Sequence, residues 1–294
     1  MGEGPSMAKC FMQAQGKVSR DLYLGEIQTM AVSTHLSTTL LFRALSALNR
    51  TGSFDKTPLM FTTTQTPSQF TAFHTAQNNF PALYFVDLFS CQHCQTDALG
   101  VRFWQFSSDY LTPGIDPYLP EIHVSSSGNA VSANQVALYR HLQYISTLNP
   151  DETMTFGLLK GLARKVSLFL PNQEASLRNI HGSSNLQVER RHHQIDAIFR
   201  VKLASTLQSI KTQSETAQQL SLLSQEASRL LARRSVAFLR RTQKLDVDPL
   251  GVGRQLDWRH PHTFQAFGSW HKAYPKVVMT VHVTLRINRM GDVK

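Results

Sequence analysis

Residues 183–248 contain neither glycine nor proline, and this 66-residue stretch limits the possible folds more than any other feature of the sequence. Glycine and proline are the residues that most often end a helix, so their absence favours one long helix or a helical hairpin. Small and apolar residues recur there at intervals of three and four, a spacing typical of a coiled-coil seam: Leu203, Leu207, Ile210, Ser214, Ala217, Leu220, Leu223, Ala227 and Leu230. A polar interruption at 211–219 is compatible with a bend, so both alternatives stay open. The seam also predicts that two copies of the chain pair through residues 195–240.

The chain before this stretch predicts a body in which helices flank a small, mainly antiparallel sheet. A helix is expected from Ser33 or Thr34 to Asn49, because apolar residues recur there every four positions. Four short runs rich in aromatic and β-branched residues, separated by turn-forming residues, predict strands at Leu59–Thr64, Ala82–Phe89, Val101–Phe106 and Ile122–Ser125. Helical patterns return at 131–148 and 152–170.

The last strong pattern is a strand at 277–288, where apolar residues occupy every second position. Such a strand needs a partner, and we expect it to return to the sheet of the body. The fold class is therefore α+β, with a small sheet, flanking helices, a long coiled-coil-like helical segment and a C-terminal strand. The chain divides into a flexible N-terminus at 1–20, an α+β body at 21–170, a long basic helix or hairpin at 183–248, an irregular basic and aromatic segment at 249–276, and the strand at 277–288.

The net charge of +10 lies entirely in the second half of the chain. Residues 1–150 carry 8 Lys or Arg and 9 Asp or Glu, whereas residues 151–294 carry 22 Lys or Arg and 11 Asp or Glu. On a helix, six cationic residues share a face about 140° wide: Arg229, Arg233, Arg234, Arg240, Arg241 and Lys244. This face predicts a binding surface for an acidic protein, for nucleic acid or for an anionic membrane. The alternative is that the apolar face packs on the body and the cations are only solvated.

Cys91-Gln-His-Cys94 is the one motif with a possible reaction attached to it. A C-x-x-C sequence after a predicted strand is compatible with thiol redox chemistry, and with His93 it supplies part of a zinc site. Buried structural thiols are the third reading, since a second C-x-x-C sequence is absent and a tetrahedral zinc site needs four ligands. The sequence also lacks a glycine-rich phosphate loop, a G-x-S-x-G elbow and an H-E-x-x-H motif, which argues against an enzyme. No cofactor is predicted.

These features favour an intracellular, non-enzymatic interaction or assembly protein of the cytoplasm or nucleus. Its long basic helix is expected to bind an acidic partner or to pair with a second copy. One alternative is a nucleic-acid-binding protein that uses the basic helix together with the aromatic and basic residues at 254–276. The other is a thiol redox or zinc protein that uses Cys91 and Cys94. No apolar run approaches the ~18–20 residues of a membrane span, and no signal peptide is recognised at the N-terminus.

Overall fold

The computed structural model describes residues 2–71, 81–90, 99–125, 130–163, 165–191, 194–211 and 216–288. The architecture is mixed α and β, with one six-stranded sheet, one four-stranded sheet and helices packed against both. The six-stranded sheet is formed by the first half of the chain, and the four-stranded sheet is formed by the second half.

The six-stranded sheet combines parallel and antiparallel pairs. Its strands are β1 (Thr29–Ser33), β2 (Leu59–Thr63), β3 (Val101–Arg102), β4 (Tyr118–Val124), β5 (Val131–Arg140) and β6 (Gln143–Leu148). The order is β1-β2-β4-β5-β6, and β3 adds to β2. β1 and β4 both run parallel to β2, whereas β4, β5 and β6 form an antiparallel meander. The sheet therefore leaves β1 at one edge.

Six helices accompany this sheet: α1 (Met7–Gln15), α2 (Thr38–Arg50), α3 (Pro67–Thr71), α4 (Pro81–Ser90), α5 (Phe103–Leu111) and α6 (Pro150–Lys160). α2 begins where the Ser37 side chain accepts a hydrogen bond from the Leu40 N–H, and it buries three leucines: Leu41, Leu45 and Leu48. At the start of α6, Asn149 and Glu152 form a reciprocal capping box, which satisfies two N–H groups of the first turn.

The four-stranded sheet consists of β7 (Val166–Leu170), β8 (Ala175–Arg191), β9 (Gln194–Ser209) and β10 (Val278–Asn288), in the order β10-β9-β8-β7. β8 and β9 form a long antiparallel pair, and β10 runs parallel to β9. Helix α7 (Ala217–Leu245) packs against β10, and the Leu285 N–H of β10 donates to the Ser228 hydroxyl of α7. Three short helices follow: α8 (Val252–Arg259), α9 (Pro261–Ala266) and α10 (Trp270–Ala273). Among the described residues, no helix is both long enough and apolar enough to span a lipid bilayer.

The predicted long coiled-coil-like helix at 183–248 is wrong, because most of its first half is strand. Only α7, with 29 residues, is helical. The absence of glycine and proline permits a strand as well as a helix, and β9 buries every second side chain from Ile195 to Leu207. Leu220, Leu223 and Ala227 are buried within the chain. The buried members of the apolar seam predicted to join two copies therefore pack inside one molecule.

Other local predictions also differ from the structure. A strand was predicted at Ala82–Phe89, but this run lies in the helix α4. A helix was predicted at 131–148, but this run forms the β5-β6 hairpin. Val101–Phe106 is a two-residue strand followed by α5. The sheets are larger than the small sheet predicted from the sequence. The C-terminal strand is present, but it pairs with β9 and not with the six-stranded sheet, because alternation predicts a strand without specifying its neighbour.

Candidate functional site

The predicted basic face of α7 is partly neutralised by carboxylates of the same chain. The Arg234 guanidinium lies 2.9 Å from the Asp151 carboxylate, and Arg241 donates to the Glu152 carboxylate. Both carboxylates belong to the first turn of α6. The remaining cations of the face are exposed: Arg229, Arg233, Arg240 and Lys244. The six residues therefore divide into two that join α7 to α6 and four that face solvent.

Arg241→Ala is expected to lower the free energy of unfolding by about 1.5 kcal/mol, because its guanidinium is bound on several sides. Besides Glu152, it donates to the Ser146 hydroxyl at 2.9 Å and to the Thr147 carbonyl at 3.0 Å. Arg240→Ala is the matched control, since Arg240 is exposed and its loss should cost less than about 0.5 kcal/mol. Urea unfolding of both variants measures the difference, and equal losses would contradict this assignment.

The segment at 249–276 is mostly helical, and its aromatic residues divide by burial. Trp270 and Tyr274 are buried, and the Tyr274 hydroxyl lies 2.8 Å from the Thr242 hydroxyl of α7. Trp258 remains 69% exposed, with the Arg254 guanidinium over its ring. Two of the aromatic residues proposed to stack on nucleic acid therefore anchor this segment to α7 and its surroundings.

The cysteine motif cannot be placed, since Cys91, His93 and Cys94 lie outside the described residues. Within the described ranges, no group of three or more histidine, cysteine, aspartate or glutamate side chains is arranged to hold a metal ion. The metal and redox readings of the motif therefore gain no support from the described part of the molecule.

A buried polar junction connects the start of α8 with the segment that precedes β4. Its centre is the Asp248 carboxylate, which is fully buried. This carboxylate accepts hydrogen bonds from three backbone N–H groups, of Gly251 at 2.9 Å, Val252 at 3.1 Å and Gly253 at 2.8 Å. The indole N–H of Trp270 donates a fourth at 3.0 Å. Each carboxylate oxygen therefore has two donors, which leaves no free acceptor for a substrate.

Asp116 holds the other side of the junction. Its carboxylate accepts a hydrogen bond from the Asp248 N–H at 2.7 Å, and its own N–H donates to the Asp248 carbonyl at 2.8 Å. The His271 ring nitrogen lies 3.8 Å from the Asp116 carboxylate, and the His141 and His271 ring centroids are 5.1 Å apart. Desolvation raises the pKa of the Asp116 carboxyl above its usual value. The reciprocal bonds indicate a structural joint between two distant parts of the chain.

Lys160 contributes a cation beside this junction. Its ammonium donates to the Pro249 carbonyl at 2.6 Å and lies 4.7 Å from the centre of the Tyr118 ring. Burial lowers the pKa of the Lys160 ammonium to about 8, although the charge of Asp109 opposes this shift. The lysine thus ties the end of α6 to the chain just before α8.

Burial raises the pKa of the Asp248 carboxyl to about 6 from its usual 3.8, because loss of hydration outweighs the hydrogen bonds from backbone N–H groups. The folded chain therefore binds a proton more tightly than the unfolded chain between these values. The stability that proton binding at the Asp248 carboxyl contributes is complete below pH 3.8 and is lost as the pH rises through about 6.

Comparison of the wild-type chain with Asp248→Asn tests this pH dependence. The difference in unfolding free energy, wild type minus variant, is expected to fall by about 2 kcal/mol between pH 4 and pH 7. Urea unfolding across this range measures the difference. A difference that is constant, or that grows with pH, would show that the carboxyl is not protonated more readily in the folded state.

An apolar groove with a volume of about 760 Å³ lies beside β1. All five residues of β1 line its floor. On one side stand residues of α2, including Leu41 and Leu45, and on the other stand Phe61, Phe70 and Phe85. The described lining residues carry no charge, and their polar members are Thr29, Ser33, Thr63 and Gln65. We call this site the β1 groove. Its chemistry suits apolar binding and offers no acid, base or nucleophilic pair for catalysis.

The sequence pattern does not reveal the β1 groove, although it indicates part of one wall. The predicted stripe of the first long helix includes Leu36, Ala44 and Leu48, which line the groove, but also Leu40, which is 45% exposed. The opposite wall could not be predicted, because its residue Phe85 lies in a run whose pattern predicts a strand and not a helix. Only a correct pairing of β1 with β2 would have revealed an unpaired edge between the two walls.

Two family models match the chain, and together they cover nearly all of it. The model described as spore germination protein N-terminal domain matches residues 1–124, and that described as spore germination B3/GerAC like, C-terminal matches residues 134–291. The spore germination protein GerQC of Bacillus cereus is 21% identical over 296 residues, which cover 98% of this chain and 81% of that protein. The crystal structure of the GerBC protein has the same fold, with a TM-score of 0.71 at 11% identity, covering 92% of this chain and 81% of that one.

These matches overturn the functional predictions made from charge and motifs. An assembly protein that acts through a long basic helix, a nucleic-acid-binding protein and a thiol redox or zinc protein are all wrong readings, because both halves of the chain match spore germination proteins. The coiled-coil description and the location in the cytoplasm or nucleus are wrong for the same reason. Over more than half of its length, the chain matches one of these models, and it belongs to the spore germination B3/GerAC-like family.

Proposed function

We propose that the chain is a non-catalytic, membrane-associated subunit of a spore germination receptor and that it works by binding another protein of that receptor. Support comes from the two family matches and from the relative named a spore germination protein. The buried ionisable groups of the junction support a non-catalytic role, since the Asp248 carboxylate is fully occupied by N–H donors.

The observation that carries the proposal is the character of the β1 groove. Its described lining is mostly apolar and carries no charge. A charged or strongly hydroxylated nutrient would need ionic partners or several hydrogen bonds to replace its hydration. An apolar segment of a protein needs neither, because burial of its side chains drives binding. Protein recognition is therefore the role that the groove favours, and direct recognition of a polar nutrient is not.

Spores that lack this chain test the proposal. In spores whose other germination receptors have been deleted, removal of the chain is expected to abolish the fall in optical density that follows addition of nutrient. The wild-type gene should restore it. Cross-linking and mass spectrometry of the restored spores should then recover the chain joined to another receptor protein. Unchanged germination of the spores without the chain would refute the proposed function.

A further inference from the structure

Among the described residues, one edge of β1 has no strand partner, and this edge faces the β1 groove. Along its other edge, β1 pairs with β2 from Thr29 to Ser33. Among the described strands, none lies on the outer side of β1. A sheet edge presents a row of free N–H and C=O groups, and such a row is a template for a further strand.

The hydrogen bonds at the two ends of β1 show which backbone groups face outward. The Leu59 N–H donates to the Gln28 carbonyl at 2.9 Å, and the Thr34 N–H donates to the Thr63 carbonyl at 3.0 Å. The N–H and C=O of one residue point to the same edge, and this direction alternates along a strand. Even-numbered residues of β1 therefore bond to β2, and the backbone groups of Thr29 and Ala31 point into the groove.

The walls of the groove are placed to receive the side chains of an added strand. Side chains of a strand alternate between the two faces of the sheet. On the face of Val32 they would meet Leu41 and Leu45 of α2, and on the face of Ala31 they would meet Phe61 and Phe85. Both walls are apolar, so the segment that fits is apolar on both faces and carries no charge within the groove.

The edge also lacks the features that normally prevent strand addition. Exposed edges are commonly guarded by lysine, proline or a bulge. Residues 27–34, which contain β1, include no charged residue and no proline, and the register of β1 on β2 is regular. Ala31 and Ser33 are exposed. Within the described residues, the edge therefore carries no guarding feature and no strand pairs with it.

We propose that the open edge of β1 is the docking site for an extended, apolar segment of the protein partner, which adds to the six-stranded sheet as a further strand. This inference rests on the proposed function, because it names how the partner is bound. The Thr29 and Ala31 backbone groups hydrogen-bond to the segment, and the two walls select its alternate side chains. The bound segment extends over about five residues, or roughly 17 Å.

The test uses the full chain and a defined probe, an acetylated and amidated peptide in which Val-Ala-Val-Ala-Val is flanked by one lysine at each end. Amide exchange is followed by NMR on the labelled protein. In the free protein, the Ala31 amide is expected to exchange at least about tenfold faster than the Val32 amide, which bonds to β2. Saturating peptide should slow exchange at Thr29 and Ala31 about tenfold or more. A peptide of the same sequence with every backbone nitrogen methylated should have no effect.

Two substitutions, Ala31→Pro and Ala31→Val, distinguish the contribution of the Ala31 backbone N–H to peptide binding from that of its side chain. Proline removes the outward N–H, so it should weaken peptide binding about tenfold or more, whereas valine keeps the N–H and should bind within about threefold of wild type. Circular dichroism and the thermal midpoint show whether both variants are folded. The methylated peptide provides the same comparison without any change to the protein.

Several outcomes would overturn the proposal. These are equal binding of both peptides, no binding at about 1 mM peptide, and an Ala31 amide already protected in the free protein. Protection that appears only as the chain dimerises, followed by sedimentation, would show that a second copy occupies the edge and would also overturn it. In spores, a normal response of Ala31→Pro alongside a defect on loss of the chain would refute strand addition but leave the proposed function standing.

Discussion

Asp248→Ala is expected to lower the free energy of unfolding by about 3 kcal/mol at pH 7, a large change for one residue. The substitution leaves three backbone N–H groups and the Trp270 indole N–H without an acceptor in a buried site. Loss of the buried charge offsets part of this cost, because desolvation already raises the pKa of the carboxyl. Urea unfolding monitored by circular dichroism measures the effect.

Asp257→Ala is the matched control, since it removes a carboxylate from α8, the short helix that follows Asp248. Asp257 is half-buried, and no hydrogen bond or ion pair is recorded for its side chain in the described structure. Its replacement should change the free energy of unfolding by less than about 0.5 kcal/mol. If Asp248→Ala proved as mild as this control, the junction would not hold the start of α8 in place.

Gly253→Ala is expected to destabilise the same junction by about 3 kcal/mol through overpacking. A methyl group at this position would lie 2.4 Å from Cε2 of Trp270 and 2.7 Å from the Cα of Gly114. Neither neighbour can move easily, because the Trp270 ring is hydrogen-bonded to Asp248 and Gly114 already has a positive φ of 76°.

Gly52→Ala provides the comparison for Gly253→Ala. No heavy atom lies within 4 Å of the position that its Cβ would occupy, and its φ is not positive. Alanine there should be neutral or slightly stabilising, by about 0.5 kcal/mol, because it restricts the unfolded chain. Thermal and urea unfolding of both variants give the comparison, and an equally small effect of the two substitutions would contradict the close approach of α8 to Gly114.

The elements that the sequence predicts correctly are those whose residue pattern is compatible with only one type of secondary structure. β2 was placed at Leu59–Thr64 and is observed at Leu59–Thr63. The strict alternation at 277–288 is β10, at Val278–Asn288. In both cases apolar residues favoured strand, and nothing in the neighbouring sequence competed with that reading.

The helix predicted in place of β8 and β9 is wrong because the absence of glycine and proline does not exclude a strand. From Ile195 to Leu207, apolar or small residues occupy alternate positions, which is the pattern of a half-buried strand. The intervals of three and four run from β9 into α7, so the apparent seam joins two different elements. The strand predicted at Ala82–Phe89 is wrong for a different reason. That run lies in α4 and is almost wholly apolar, and such runs do not distinguish a buried strand from a helix.

The junction and the β1 groove could not be predicted, because both depend on contacts between distant residues. Asp116 and Asp248 are 132 positions apart, and neither belongs to a recognisable motif. The charge of the second half was real but misleading, since the sequence could not show that Asp151 and Glu152 lie beside Arg234 and Arg241. Net charge indicates the character of a surface and does not reveal which charges are already paired.

The germination rate of spores carrying Ala31→Pro tests the central claim most directly. Two strains are the comparisons: one that lacks the chain, and one in which the four exposed cations of α7 are alanine, at Arg229, Arg233, Arg240 and Lys244. With equal protein levels, Ala31→Pro spores should respond to nutrient as poorly as spores without the chain, and the alanine strain should respond normally. A normal response of Ala31→Pro spores, with the alanine strain defective, would contradict the account.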